Sequence, residues 1–70
     1  MDPAAQVETI LSRLRKLGLS IRYEHLGGTG GGLCRIRGDR VMFIDLDADI
    51  ATTADRCVEA LASLPDADSE

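Results

Sequence analysis

Residues 31–45 read GGLCRIRGDRVMFID, and this stretch decides the fold. Apolar and polar residues alternate over residues 32–37, which is typical of a half-buried β-strand. Gly38 and Asp39 follow as a two-residue turn signal between two strand patterns, which predicts a β-hairpin. Residues 40–46 are apolar on both faces, a pattern that favours the middle strand of a sheet or an interface. The stretch therefore predicts two antiparallel strands joined by a tight turn.

Amphipathic segments flank this hairpin on both sides. Asp2 and Pro3 form a helix start, with an acceptor at the N-cap and proline at the first helical position. Apolar residues then recur at three- and four-residue spacing to residue 17, and again over residues 50–64, which predicts two helices. Residues 19–26 alternate and form a further predicted strand.

The predicted order of elements is αβββα, which places the chain in the α/β (α+β) class as one domain. Because both helices are amphipathic, we expect a two-layer sandwich with both helices on one face of a three-stranded antiparallel meander. The domain covers residues 1–65, and residues 66–70 form an acidic tail that we expect to be disordered. The predicted core is Val7, Leu11, Leu14, Ile21, Tyr23, Cys34, Ile36, Met42, Ile44, Val58 and Leu61.

The charge and hydropathy of the chain restrict its partners. Eight basic residues stand against twelve acidic ones, giving a net charge of −4. An acidic domain gains nothing from counterion release on nucleic acid, so no nucleic-acid partner is expected. No apolar run approaches the roughly 18 residues of a membrane span, and the first residues carry no secretory pattern. We therefore expect a cytoplasmic protein without a membrane partner.

The short chain needs an additional source of stability, since 70 residues bury only a small core. In a reducing compartment Cys34 and Cys57 are expected to be buried free thiols rather than a disulfide. Structural zinc takes about four Cys or His ligands, and the chain offers only these two and His25. No cofactor is therefore expected, and association with a second copy remains as the stabilising device.

The glycine-rich segment 27–32 has part of the spacing of a phosphate-binding loop. A Walker loop requires Lys and Ser or Thr where Leu33 and Cys34 stand, and it leads into a helix rather than a strand. The segment is therefore interpreted as a flexible loop that uses positive φ angles.

Three aspartates, Asp45, Asp47 and Asp49, follow the last strand. The apolar strand with Asp-x-Asp resembles the first motif of haloacid-dehalogenase-like phosphotransferases, although Asp49 replaces the usual threonine of that motif. A calcium loop would need glycine and glutamate where Ile50 and Arg56 stand. The aspartates are interpreted mainly as acids near the positive end of the second helix. A divalent-cation-binding or ligand-binding domain that uses them is the alternative function.

The segment GGLCRIRG, residues 31–38, leads through an apolar strand and an acidic connection into a helix. This arrangement resembles the stretch before the zinc helix of ImmA/IrrE-type metallopeptidases, in which the helix carries His-Glu-x-x-His. The best matching register here is residues 59–63, EALAS, which lacks both histidines and the glutamate. The resemblance therefore implies a scaffold without the chemistry of the protease.

The sheet face opposite the helices is the candidate interaction surface, because it combines apolar and basic side chains. We predict a non-catalytic domain for protein–protein interaction or homodimeric assembly, with a second copy or another protein as its partner. The candidate interface residues on this face are Leu33, Arg35, Arg37, Val41 and Phe43.

Overall fold

The structure is a computed structural model that describes residues 2–64. It has two helices and one three-stranded mixed sheet, which confirms the predicted α+β class and the order αβββα. The predicted tail, residues 66–70, lies outside the described residues. The elements are α1 (Pro3–Lys16), β1 (Ser20–Glu24), β2 (Gly32–Ile36), β3 (Asp39–Asp45) and α2 (Ile50–Ser63).

Both helices begin at aspartate caps. The Asp2 carboxylate accepts the backbone N–H of Ala4 at 3.0 Å, and Pro3 occupies the first turn of α1. The Asp49 carboxylate accepts the N–H of Thr52 at 2.8 Å at the start of α2. Each cap satisfies a backbone donor that has no partner within the helix, so the sequence determines these two boundaries locally.

The strand order of the sheet is β1-β3-β2, with β1 parallel to β3 and β2 antiparallel to β3. The predicted antiparallel meander is therefore wrong, because β3 lies between the two strands that a meander would pair. The physical reason is that β3 is apolar on both faces, so it is best buried at the centre. A meander would put β2 at the centre, and β2 carries exposed polar side chains.

The turn between β2 and β3 consists of Arg37 and Gly38, one residue earlier than predicted. Their φ angles of 53° and 86° are both positive, as in a type I′ turn, whose twist suits a two-residue hairpin. A shift of one residue exchanges the two faces of a strand. Leu33 therefore packs toward the helices, whereas Cys34 and Ile36 lie on the other face.

The core lies between the helix pair and one face of the sheet. Four predicted core residues are instead exposed: Tyr23, Cys34, Ile36 and Val58. In α2 the buried face is formed by smaller side chains than predicted, because α1 and α2 pack directly against each other. The buried core cluster is Val7, Ile10, Leu11, Leu14, Leu19, Met42, Ile44, Ala54, Cys57, Ala60 and Leu64.

Candidate functional site

The sheet face away from the helices, called the open face below, is the candidate interaction surface. Side chains that pair across the sheet share a face, so the strand register assigns the open face. Its residues are Ser20, Arg22 and Glu24 of β1, Gly32, Cys34 and Ile36 of β2, and Asp39, Val41, Phe43 and Asp45 of β3.

The structure separates the five predicted interface residues. Val41 and Phe43 lie on the open face as predicted. Leu33 and Arg35 lie on the opposite, helix-facing side, so their assignment to the open face is wrong. The reason is the earlier turn, which reverses the orientation of β2. Arg37 lies in that turn and belongs to neither face.

An apolar strip runs across β2 and β3 on the open face. Val41 is buried between Ser20 and Cys34, its partners in the neighbouring strands. Ile36 is 43% exposed, which is high for an isoleucine in a sheet. Two residues that were assigned to the core, Cys34 and Ile36, thus extend the strip. An antiparallel sheet face in contact with water is usually polar, so this strip needs an explanation.

Phe43 is the largest side chain of the strip. Its partner in β2 is Gly32, which has no side chain, so one flank of the ring is not covered. On the other flank the guanidinium carbon of Arg22 lies 6.0 Å from the ring centroid, a cation–π distance. Arg22 also donates to Glu24 at 3.2 Å on the same face. The open face is therefore apolar in the middle of β2 and β3 and charged along β1, with the exposed Asp39 opposite Ile36 at the end of the strip.

The end of β3 forms a second candidate site, where the loop of residues 25–31 passes over the sheet. This segment is called the crossing loop below. The Asp45 carboxylate is only 2% exposed and accepts four backbone N–H groups. Oδ1 accepts from Leu26 at 3.0 Å and Asp47 at 2.9 Å, and Oδ2 accepts from Gly28 at 2.8 Å and Gly30 at 2.9 Å. Asp45 thus fastens the crossing loop to β3.

These contacts keep Asp45 ionised. Burial removes water from the carboxylate and would by itself raise its pKa. The N–H groups of Gly30, Asp47, Leu26 and Gly28 stabilise the charged form and lower the pKa to about 2. Since each oxygen already accepts two hydrogen bonds, the carboxylate has no free lone pair for a metal ion. A proton-transfer role is equally disfavoured, because a catalytic acid needs a pKa near the working pH.

Asp47 and His25 form an exposed pair beside this anchor. His25 Nδ1 lies 2.9 Å from Asp47 Oδ1, and Gly27 donates its N–H to Asp47 Oδ2 at 2.9 Å. The hydrogen bond to His25, followed by that from Gly27, lowers the pKa of Asp47. The same hydrogen bond to Asp47 raises the pKa of His25. Because both side chains are well exposed, the pair supports the crossing loop only weakly.

The three aspartates do not form one site. Asp45 holds the crossing loop, Asp47 pairs with His25, and Asp49 caps α2. The N–H of Thr52 at this cap lowers the pKa of Asp49. Within residues 2–64 no group of three or more His, Cys, Asp or Glu side chains could hold a metal ion. The geometry therefore gives no support to the cation-binding alternative.

The crossing loop also lies unusually close to neighbouring backbone. Gly31 has φ +74°, and a Cβ atom there would overlap the carbonyl oxygen of Phe43 and lie 2.9 Å from its carbonyl carbon. A Cβ atom on Gly30 would lie 2.9 Å from Thr52 Cγ2. Gly30 and Gly31 are therefore required for close packing of the crossing loop against α2 and β3.

The two cysteines lie in different environments. Burial raises the pKa of Cys57, which keeps its thiol protonated and unreactive. Cys34 is a free, exposed thiol on the open face, which contradicts its predicted burial. The structure places the two cysteines in different environments and shows no disulfide between them.

A shallow groove, missed by the sequence reasoning, lies where the two helices begin. Leu46 and Ile50 are 51% and 48% exposed at this groove, and Tyr23 is 49% exposed. The sequence does contain apolar residues here, Leu46 and Ile50. The strand and helix patterns assigned Leu46 to the third strand and Ile50 to the apolar face of the second helix, so no groove was predicted. The groove is a second apolar surface, and a substitution in it can serve as a control for substitutions on the open face.

The segment that would align with a zinc helix, residues 59–63, lies in the last turns of α2. There Glu59 accepts hydrogen bonds from Arg56 at 3.0 and 3.2 Å.

No helix among residues 2–64 has the length and apolar character needed to cross a membrane. The chain has no significant match among protein-family models, curated proteins or solved structures.

Proposed function

We propose that the protein is a non-catalytic assembly module that binds a second copy of itself through the open face. The observation that carries this proposal is the apolar strip on a sheet face that neither helix covers. Exposed apolar surface is stabilised when it is removed from water, at about 25 cal/mol per Å². A domain of 70 residues, which buries little apolar surface alone, gains most from such a contact.

Two further features support a protein partner over a small ligand. The open face is one side of a three-stranded sheet, whereas small-molecule sites are concave. Its composition, with Phe43 and Arg22 in contact and an isoleucine exposed, resembles the aromatic and arginine enrichment of protein interfaces. The ionised and fully hydrogen-bonded Asp45 supports the absence of acid–base chemistry at the aspartate segment.

The resemblance to ImmA/IrrE-type metallopeptidases is compatible with this proposal. It implies a scaffold that keeps the hairpin and the following helix while lacking the zinc ligands. A scaffold of that kind has a sheet surface to offer but no metal chemistry. The test of the assembly function does not depend on whether the resemblance reflects descent.

Light scattering on the wild type and on Phe43→Asp tests the proposal. The wild type should be an oligomer, and Phe43→Asp should halve its mass while circular dichroism shows an unchanged fold. Burying a carboxylate in an apolar interface is costly, whereas in the free subunit position 43 is partly exposed and lies beside Arg22. Leu46→Asp, in the groove on the other side of the molecule, is the matched control and should leave the mass unchanged. A wild-type monomer, or an equal effect of both variants, would contradict the proposal.

A further inference from the structure

Strand β1 forms one edge of the sheet, and no strand of residues 2–64 lies on its outer side. The carbonyl of Glu24 accepts the N–H of Leu46 at 2.8 Å, so the backbone of Glu24 is directed toward β3. Backbone groups alternate in direction along a strand, so those of Ile21 and Tyr23 are directed away from the sheet. This outer row of donors and acceptors is able to pair with a further strand.

The charges of β1 favour one register of self-pairing. In an antiparallel pair, residues with outward backbone groups must oppose each other. If Arg22 opposed its own copy, or Glu24 its own copy, like charges would face each other directly. With Tyr23 opposite Tyr23, each Arg22 opposes Glu24 of the partner subunit. The two residues already form an ion pair within one chain at 3.2 Å, so both side chains can reach such a position.

The other edge of the sheet lacks this complementarity. The charged side chain of β2 is Arg35, which stands opposite Arg40 of β3. β2 has no acidic residue, so self-pairing of β2 would bring no opposite charges together between its two copies. The two edges therefore differ, and only β1 carries a positive and a negative residue two positions apart.

We propose that two copies of the chain pair antiparallel along β1, with Tyr23 opposite Tyr23 and Arg22 opposite Glu24 of the partner subunit. The pairing joins the two sheets into one six-stranded sheet, in the order β2-β3-β1-β1-β3-β2. The outward backbone groups of Ile21 and Tyr23 then gain partners, and the exposed Tyr23 side chains are partly covered. The contact uses the backbone edge of β1 and the two charged side chains at the rim of the open face, and it leaves the apolar strip of β2 and β3 uncovered. It therefore goes beyond the proposed function and can coexist with it.

Disulfide trapping tests the register directly. Residues 22 and 24 would form a pair without mutual backbone hydrogen bonds, with Cα atoms about 4.5 Å apart, within disulfide range. Arg22→Cys and Glu24→Cys, each with Cys34→Ser, are mixed and oxidised, and one variant carries a tag that identifies the heterodimer by mass. The mixture should give a heterodimeric disulfide, and its remaining Arg22 and Glu24 still oppose each other.

Each variant oxidised alone is the control. Identical cysteines would be diagonal neighbours about 7–8 Å apart, too far for an unstrained bond, so the cross-link should be lost. Equal cross-linking in all three samples, or none in the mixture, would overturn the proposal. Repeating the mixture with Phe43→Asp separates the two interfaces. A cross-link that persists while the mass halves supports both proposals, and a cross-link without any effect of Phe43→Asp supports the edge alone and contradicts the open face.

Discussion

The two connections that lead into and out of β2 differ in how the chain specifies them. The turn of Arg37 and Gly38 is formed by two residues with positive φ and needs no distant partner. The crossing loop instead depends on Asp45, the last residue of β3, which lies beyond β2 in the sequence. Its carboxylate accepts the N–H groups of Leu26, Gly28 and Gly30. One connection is therefore local, and the other is held by a single buried carboxylate. The difference predicts that substitutions in the two regions will have unequal effects.

Asp45→Asn should have the largest effect, because it breaks the anchor of the crossing loop. An amide of the same shape offers one acceptor oxygen and points two donors at backbone N–H groups, leaving two of the four without a partner. We expect a large fall in Tm by circular dichroism. Asp47→Asn, on the exposed neighbour, is the matched control and should lower Tm much less. Similar losses for both variants would show that the crossing loop does not depend on Asp45.

Acid titration should also show that the stability of the fold depends on the ionised Asp45 carboxylate. The pKa of Asp45 is lowered from 3.8 to about 2 in the folded protein. The stabilisation from its charge is therefore complete above pH 3.8 and is lost as the pH falls toward 2. In Asp45→Asn this part of the acid-induced loss of stability should be absent. An acid transition that is identical in both proteins would contradict the assignment.

Gly31→Ala in the crossing loop and Gly38→Ala in the β2–β3 turn compare how much stability each connection loses when the same substitution is made. At Gly38 the space beside the backbone is open, so only the positive φ opposes alanine, at about 1–2 kcal/mol. At Gly31 a Cβ atom would also overlap the Phe43 carbonyl, so we expect a loss of more than about 3 kcal/mol. Urea unfolding measures both free energies. Equal losses would mean that the crossing loop can move away from β3 at little cost.

His25→Gln should have the smallest effect, and it should depend on pH. The hydrogen bond to Asp47 raises the pKa of His25 above 6.5 in the folded state. Its stabilisation is therefore complete below pH 6.5 and fades as the pH rises through the raised value. The variant should be slightly less stable than the wild type at about pH 5.5 and equal to it at about pH 8.5. A difference that does not change with pH would exclude the ion pair as its cause.

Local signals in the sequence predicted the helices and their caps correctly. Asp2, Pro3 and Asp49 act within a few residues of themselves, so their positions determine where the helices begin. The two-sided apolar pattern of β3 favoured a middle strand or an interface, and β3 is the central strand, whereas the predicted meander wrongly placed β2 there. These features could be predicted because each depends on neighbouring residues or on burial alone.

The register of β2 and the role of Asp45 could not be predicted in the same way. Placing Cys34 and Ile36 inward buries more apolar surface than placing Leu33 inward, so the pattern favoured the wrong face. The turn that decides the matter requires positive φ at Arg37, an uncommon conformation for a residue with a side chain. The partners of Asp45 lie far from it in sequence, and only the strand order brings them together.

The parallel pairing of β1 with β3 also has a consequence for how the chain folds. The hairpin of β2 and β3 joins residues close in sequence, whereas the pairing of Ser20 with Val41 spans the crossing loop, β2 and the turn. Closing the longer loop costs more chain entropy, so we expect the hairpin to form before β1 docks beside it. Asp45 would then act late in folding, when its hydrogen bonds to the crossing loop hold β1 beside β3. A newly folding copy would expose the edge of β3 until β1 docks. During that time a strand of a second chain could pair with β3 in place of β1 of the same chain.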